Sequence, residues 1–322
     1  MRAVQQQELT GPDGLAVVEV PEPVAGPDRL LVRVAASGVS FPDLLMGLGR
    51  YQARLDPPYV PGVEVAGTVV TAPEGSGFAA GDRVAAFVES GGWAELCLAD
   101  PLRTVRLPDG LDPVAAAGML MNYLTALFGL ERRGRLRAGE RVLVHGAAGG
   151  LGTACVQVAK GLGAQVVAVV STPGKAEVAR AAGADDVLVG DDWPARLRAE
   201  VGPVDVVVDI VGEPVVLESL RALAPEGRYL VLGFAGGQIP SVALNRLLLR
   251  NVDVVGVAWG AFLAQHPAYV QEQWERLRPM LEAGSVSPAV GHLLPLEQAA
   301  EAVRLLADRA ATGKVVLAVR QP

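Results

Sequence analysis

Short apolar runs dominate the first third of the chain. The runs LAVVEV, DRLLVRVAAS, VEVAGTVVTA, DRVAAFV and WAELCLAD are separated by glycine, proline and aspartate. Segments of this length that are rich in β-branched residues and bounded by turn residues predict β-strands. A helical turn or two is expected at FPDLLMGL. The first third of the chain therefore predicts a β-rich domain.

The pattern changes near residue 112 and again at residue 141. The segment DPVAAAGMLMNYLTALFGLERR predicts a helix, with Asp112 as its cap and Pro113 at the first helical position. From residue 141, the apolar runs RVLVH, QVVAVVS, DVLVG, DVVVDIV, RYLVLGF and VDVVGVA alternate with helical stretches such as GKAEVARAAG, PVVLESLRAL and VALNRLLLRN. Continuously apolar strands are buried on both faces of a parallel sheet. Six of them with right-handed crossovers predict a doubly wound Rossmann sheet.

The tail, from about residue 262, lies outside this six-strand set. It contains a long polar helix, a second helix at EQAAEAVRLLADR and a last strand, KVVLAVR. We expect these elements to fold back onto the N-terminal domain. The sequence thus predicts an α/β protein with two domains, one made of residues 1–121 and 262–322 and the other of residues 122–261.

The composition limits which cellular compartment and which partners are expected. The 322 residues are enough for two domains with sizeable cores, and 51% of them are hydrophobic. A formal net charge of −7 provides no positive field for a phosphate backbone, so no nucleic-acid partner is expected. Two cysteines, Cys97 and Cys155, indicate a reducing compartment. Because the chain has neither a secretory signal nor a convincing membrane span, we expect a soluble, cytoplasmic protein.

A glycine-rich turn follows the first strand of the alternating part. The strand Arg141 to His145 leads into GAAGGLG at 146–152 and then into a helix. Glycine permits a tight turn and a close approach of the backbone to a pyrophosphate, and a helix N-terminus attracts phosphates. Ala147 replaces the first glycine of the stricter G-x-G-x-x-G pattern. A tight connection without a ligand is the alternative, but the strand, the helix and five more alternating units favour dinucleotide binding.

The residues after the second strand select the coenzyme. NAD sites usually carry a carboxylate about 20 residues beyond the glycine loop, and this region has none before Glu177. Ser171 and Lys175 instead offer a hydroxyl and a cation to a 2′-phosphate, which predicts NADPH. The alternative is that Ser171 only caps the next helix and Lys175 is a solvated surface charge.

A set of motifs spans essentially the whole chain: SGVSFPDLLMGLGRY, PGVEVAGTVV, GDRVAAF, MNYLTAL, GAAGGLG, the GFAGG loop and TGKVVL. Their order and spacing resemble those of the quinone oxidoreductase branch of the medium-chain dehydrogenases. The resemblance implies a GroES-like catalytic domain, an inserted Rossmann domain and an active site in the cleft between them. It also implies a homodimer or higher homo-oligomer, in which the last Rossmann strands, here Val252 to Ala258, pair between subunits.

The zinc alcohol dehydrogenases provide a contrast. Their catalytic cysteine and histidine ligands would fall at Ser40 and Val63, and two cysteines are too few for their structural zinc site. His145, His266 and His292 have no partners at metal-ligand spacing. We therefore expect no metal. Oxidation of simple alcohols is then implausible, whereas hydride transfer from NADPH to a quinone or an α,β-unsaturated carbonyl is feasible.

The resemblance also implies site residues. The substrate pocket would include Ser40, Tyr51 and Trp259. Tyr51 either donates its phenolic proton or packs the pocket wall. Two positions depart from the family, which usually has asparagine at Ser40 and in many members tyrosine at Gly190. The remaining coenzyme contacts implied by the motifs are Thr125, Gly149, Gly150, Leu151, Gly233, Phe234, Ala235 and Lys314.

Two other functions remain open. An enoyl-thioester reductase would also transfer hydride, but it would need a larger pocket and a basic path for a CoA or carrier-protein arm. A protein of a different class would keep the fold and the coenzyme without turnover, as a lens-type or RNA-binding relative. The acidic net charge argues against the RNA-binding form.

Overall fold

The first third of the chain forms antiparallel strands in the computed structural model, which describes residues 1–319. Two of them pair as a separate ribbon, β1 (Arg2–Gln6) and β2 (Leu15–Glu19). The others are β3 (Leu30–Val39), β4 (Glu64–Thr71), β5 (Arg83–Phe87), β6 (Leu96–Ala99) and β7 (Thr104–Arg106). Helix α1 (Phe41–Gly47) connects β3 to β4, as predicted. The sequence pattern missed β1, which is rich in glutamine, and β7, which has only three residues.

The helix predicted from Asp112 is interrupted. It begins as predicted, because the Asp112 carboxylate accepts a hydrogen bond from the N–H of Val114 at 2.6 Å and caps α2 (Pro113–Ala117). After Gly118 the chain continues in wider π-helical turns at Leu120–Leu124 and Phe128–Arg133, on either side of α3 (Thr125–Leu127). A Cβ at Gly118 would lie 3.0 Å from Cγ of Lys314. The break therefore occurs where a glycine allows close packing.

The six strands predicted from residue 141 form one parallel sheet. They are β8 (Arg141–His145), β9 (Gln165–Val170), β10 (Asp186–Val189), β11 (Val204–Asp209), β12 (Leu223–Val231) and β13 (Asp253–Gly256), in the spatial order β10-β9-β8-β11-β12-β13. The connecting helices are α4 (Gly150–Gly161), α5 (Pro173–Ala181), α6 (Trp193–Arg196), α7 (Val216–Ala222) and α8 (Asn245–Leu248). This order reverses between β8 and β11, which is the doubly wound Rossmann arrangement. The predicted α/β fold is confirmed.

The helix predicted over VALNRLLLRN is shorter than expected. Only Asn245–Leu248 is helical, and Leu244, Leu248 and Leu249 expose 77%, 74% and 78% of their surface. Most helical stability in proteins comes from burying an apolar face. These leucines are not buried by the described residues, so that stabilisation is missing here.

In the tail, two helices stand where one long polar helix was expected, and they are followed by a strand that the pattern missed. Its elements are α9 (Trp259–Gln265), α10 (Tyr269–Glu282), β14 (Val290–Pro295), α11 (Ala299–Ala307) and β15 (Lys314–Ala318). β15 pairs with β14 on one side and with β3 on the other. The tail thus completes a seven-stranded sheet in the order β14-β15-β3-β4-β5-β7, with β6 also paired to β3. Arg320, the last residue of the predicted strand KVVLAVR, lies outside the described residues.

Contacts within the chain divide it into two units. The β unit contains Met1–Met121, His266–Arg278 and the chain from Pro288, and the parallel-sheet unit contains Asn122–Gln265 and Pro279–Ser287. This division differs from the sequence boundary at 261/262, because residues 262–265 and 279–287 belong to the parallel-sheet unit. In the described part of the chain, no helix has the length and apolar character that a membrane span requires.

Candidate functional site

The glycine-rich turn joins β8 to α4 at the carboxyl edge of the parallel sheet. Gly146 has a φ of +64°, in the left-handed region that favours glycine. A Cβ on Gly152 would lie 2.1 Å from the carbonyl oxygen of Gly146, so only glycine fits there. The N–H of Thr153 donates to the carbonyl of Gly149 at 2.8 Å. The N–H groups between these two residues have no intrahelical acceptor, and together with the helix dipole they form a cradle that fits a pyrophosphate.

A second loop, at the same edge, follows β12 and contains Gly233, Phe234 and Ala235. The N–H of Ala235 donates to the carbonyl of Ile210 at 2.9 Å, so Ala235 can contact a ligand only through its other atoms. The loop after β11 is shaped by Asp209. Its buried carboxylate accepts hydrogen bonds from the N–H of Val211 at 2.7 Å and from the hydroxyl of Tyr229. The backbone on this side of the cradle is therefore fixed by buried hydrogen bonds.

The predicted coenzyme-selecting residues follow β9 at this edge. Thr172, rather than Ser171, caps α5, since its hydroxyl accepts from the N–H of Lys175 at 3.4 Å. The alternative in which Ser171 serves as the cap is therefore wrong. Ser171 is exposed and Lys175 is half-buried. Gly190 follows β10, the neighbour of β9, and its φ of +87° would strain a tyrosine at that position.

A buried charged cluster lies in the β unit around Ser40. The Nζ of Lys314 donates to the Oγ of Ser40 at 2.7 Å and forms an ion pair with Glu64. Ser40, Glu64 and Lys314 are only 5%, 1% and 4% exposed. The second carboxylate oxygen of Glu64 accepts the N–H of Met121 at 3.0 Å. The structure thus brings two predicted residues, Ser40 and Lys314, together on a carboxylate that the sequence analysis did not select.

Asp43 is a second buried acid beside this cluster. Its carboxylate accepts the N–H of Ser40 at 2.7 Å and the N–H of Gly62 at 3.2 Å. Burial raises the pKa of Asp43 to about 7, although the two backbone hydrogen bonds and the charge of Lys314 act in the opposite direction. Asp43 therefore ties the start of α1 to the turn before β4.

Two tyrosines lie within electrostatic range of Asp43. Burial, with a smaller contribution from Asp43, raises the pKa of Tyr51 and raises that of Tyr59 to about 12. Both phenols therefore stay protonated at neutral pH and can donate hydrogen bonds. The hydroxyl of Tyr59 is buried without a hydrogen-bond partner in residues 1–319. The sequence motifs point to Tyr51 and give no signal for Tyr59, which lies three residues before Gly62.

The remaining predicted residues lie in the parallel-sheet unit. Thr125 is half-buried at the start of α3, and Trp259 is buried at the start of α9. His145 is packed as expected, with its Nε2 2.7 Å from the hydroxyl of Ser219 and its ring edge-on to Trp193. Within residues 1–319, no group of three or more histidine, cysteine or acidic side chains is arranged to hold a metal.

Two of the three residues that the sequence did not reveal, Glu64 and Asp43, are buried acids. Glu64 and Asp43 stand in apolar surroundings, in VEVAG and in FPDLLM. A carboxylate within a strand that is otherwise apolar requires a buried partner. That signal was available in the sequence, but the partner, Lys314, is far away along the chain.

Comparisons with known proteins agree with this geometry. The family model described as "Alcohol dehydrogenase GroES-like domain" matches residues 26–126, and the one described as "Zinc-binding dehydrogenase" matches residues 150–282. The chain is 36% identical to quinone oxidoreductase-like protein 2 of Bos taurus, over 99% of this chain and 93% of that protein. It is 29% identical to the acryloyl-coenzyme A reductase of Sulfurisphaera tokodaii, over 96% of this chain and 98% of that protein.

A solved structure is also similar to this chain. The quinone oxidoreductase of Thermus thermophilus, whose structures include a complex with NADPH, superposes with a TM-score of 0.85 at 40% identity. The match covers 99% of this chain and 100% of that one.

Proposed function

We propose an activity from one premise: the chain belongs to the quinone oxidoreductase branch of the medium-chain dehydrogenase/reductase superfamily. The activity is NADPH-dependent reduction of a quinone or an α,β-unsaturated carbonyl, without a metal. The observation that carries the proposal is the cradle at the start of α4, where Gly152 lies too close to Gly146 for any side chain.

The coenzyme would be held by the parallel-sheet unit. The N–H groups of Gly150 and Leu151, with Gly149 before them, would bind the pyrophosphate. Ser171 and Lys175 would bind the 2′-phosphate at the neighbouring strand end. Further contacts would come from Thr125 and from the loop of Gly233, Phe234 and Ala235.

The chemistry needs a hydride donor and a stabiliser of negative charge. Bound NADPH supplies the hydride. The acceptor's carbonyl oxygen gains negative charge as the hydride arrives, and hydrogen-bond donors at that oxygen lower the barrier. Two hydroxyls of the β unit are suited to this role, those of Ser40 and Tyr51. Ser40 stands where the zinc enzymes of the superfamily have a cysteine ligand, so a hydroxyl donor replaces a metal there.

The test is NADPH consumption with a panel of acceptors: 1,4-benzoquinone, 9,10-phenanthrenequinone, methyl vinyl ketone and acryloyl-CoA. We expect turnover of the quinones, the enone or both. Efficient turnover of acryloyl-CoA alone would favour the second candidate, an enoyl-thioester reductase, to which the likeness to the acryloyl-coenzyme A reductase points. Tight NADPH binding with no turnover of any acceptor would indicate the third, non-catalytic class.

The partner we propose, besides the small-molecule acceptor, is a second copy of the chain. β13 is the last strand in the order of the parallel sheet, and Val254 on it is 46% exposed. An exposed apolar edge strand is a template for pairing with another chain. The exposed leucines around α8 add further apolar surface to the same unit.

A further inference from the structure

We propose that Lys314 is a positioning residue for Ser40: its ammonium turns the Ser40 hydroxyl hydrogen toward the acceptor oxygen, and Glu64 fixes the ammonium. This inference rests on the proposed reductase function. It also gives Lys314 a role other than the coenzyme contact that the TGKVVL motif implies.

The direction of the Ser40 hydroxyl follows from its partners. An ammonium group donates hydrogen bonds and accepts none, so the Oγ of Ser40 must be the acceptor in its 2.7 Å contact with Lys314. The hydroxyl hydrogen of Ser40 is then left for another acceptor. Its other side-chain partner in residues 1–319 is an oxygen of Glu64 at 3.3 Å. That distance exceeds the roughly 2.5–3.0 Å of a good O–H···O bond, so a ligand oxygen at a shorter distance can take this hydrogen in place of Glu64.

Glu64 holds the ammonium in place and has little freedom to move. One carboxylate oxygen is paired with Lys314 and the other accepts the N–H of Met121 at 3.0 Å. A Cβ at Gly38 would lie 2.5 Å from the first of these oxygens, so the carboxylate is packed against the backbone of β3. Glu64 thus holds the ammonium against the hydroxyl of Ser40.

A fixed cation behind a hydroxyl makes that hydroxyl a stronger donor. A charge-assisted hydrogen bond polarises the next bond in the chain, and preorganised donors are most effective where negative charge develops. The hydride that the coenzyme supplies forms the new bond to the acceptor, and the displaced electron pair becomes an oxyanion on the acceptor oxygen. Ser40 donates to this oxyanion, which finally takes a proton from water. The coenzyme is oxidised, the acceptor is reduced, and Lys314 keeps its proton throughout.

The test compares two double variants that both remove the ion pair. Glu64→Gln/Lys314→Met leaves no donor to Ser40, whereas Glu64→Gln/Lys314→Gln retains an amide donor at position 314. Changing both residues avoids an unpaired buried charge, which would destabilise the fold. Each variant is assayed with a strongly electrophilic acceptor, 9,10-phenanthrenequinone, and with a weaker one, methyl vinyl ketone. NADPH affinity is measured separately by fluorescence titration.

We expect the methionine variant to lose on the order of ten- to a hundredfold in kcat with the enone and much less with the quinone, because the weaker electrophile depends more on oxyanion stabilisation. The glutamine variant should recover part of the enone activity. The Kd for NADPH should stay unchanged in both variants.

Two results would overturn the inference. Equal losses with both acceptors in both variants would indicate a purely structural ion pair. A weaker Kd for NADPH with unchanged kcat would assign Lys314 to the coenzyme. Failure of the wild type to turn over either acceptor is a separate outcome, which rejects the proposed function and this inference with it.

Discussion

Replacing Gly152 by alanine tests the coenzyme cradle directly. The added Cβ would lie 2.1 Å from the carbonyl oxygen of Gly146 and 2.7 Å from Cα of Ala147. Both atoms belong to the backbone, so no side chain can rotate out of the way. To reach even 3.0 Å from that oxygen, the start of α4 and the turn must separate by about 1 Å.

The expected loss of NADPH affinity follows from that displacement. The N–H groups of Gly150 and Leu151 would move with the helix away from the phosphate position. A hydrogen bond from such a group to a charged phosphate is worth roughly 1.5–3 kcal/mol, so its loss costs about ten- to a hundredfold in affinity. Overpacking of this kind costs roughly 1–3 kcal/mol of stability, which leaves a two-domain protein folded. We therefore expect a folded variant whose Kd for NADPH is higher by about ten- to a hundredfold.

The assay is titration of NADPH fluorescence, with thermal unfolding as the measure of folding. Gly260→Ala is the matched control, because Gly260 belongs to the same unit and a Cβ there meets no atom within 4 Å. The control should bind NADPH as the wild type does. Wild-type affinity in Gly152→Ala would refute our assignment of the turn as the phosphate site.

Other predictions concern coenzyme choice, metal, assembly and acid stability. Lys175→Ala should lower kcat/KM for NADPH by roughly ten- to a hundredfold and leave NADH nearly unchanged, and equal damage to both would contradict the 2′-phosphate assignment. Metal analysis should find no stoichiometric zinc and chelator should leave activity intact, whereas one zinc lost together with activity would contradict the metal-free mechanism. Light scattering should show a dimer or a larger oligomer, and Val254→Asp should weaken the association between subunits. A stable monomer of the wild type at micromolar concentration would reject strand pairing. Burial lowers the pKa of His145 to about 3 in the folded state, against about 6.5 when unfolded. As the pH falls, His145 is therefore protonated in the unfolded state before it is protonated in the folded state. The free energy of unfolding should fall by about 1.4 kcal/mol per pH unit as the pH drops below about 6.5. Urea unfolding followed by tryptophan fluorescence should show a smaller loss of stability toward acid pH in His145→Gln than in the wild type, and equal losses would contradict the linkage.

The sequence predicted those parts of the fold whose signal is local. The parallel strands are continuous apolar runs, and the turn at 146–152 combines a strand, glycines and a helix in one short segment. In both cases the residues that decide the structure are neighbours in the chain. The helix beginning at Pro113 was predicted for the same reason, since its cap and its first turn are adjacent.

The parts of the fold and of the candidate site that the sequence did not predict depend on contacts between residues that are distant along the chain. The interruption at Gly118 lies against the Lys314 side chain, a contact that periodicity along one segment does not reveal. The short α8 reflects leucines that the described residues leave exposed, although their spacing is helical. The cluster around Ser40 needs Glu64 from β4 and Lys314 from β15, and only the folded sheet brings these residues together.

The pairing of β15 with β3 has a consequence for the order of events during synthesis. Val315 lies opposite Val39, and the whole parallel sheet is translated between them. The parallel-sheet unit can therefore begin to fold while the ribosome is still working, because domains generally fold as units. Until β15 is made, the end of β3 that pairs with it, Ala36 to Val39, lacks that partner, and Glu64 lacks its cation. A stalled or truncated chain would thus present an open strand edge to aggregation and degradation. Because Lys314 follows Ser40 by 274 residues, the cluster around Ser40 assembles only after the whole parallel sheet has been translated.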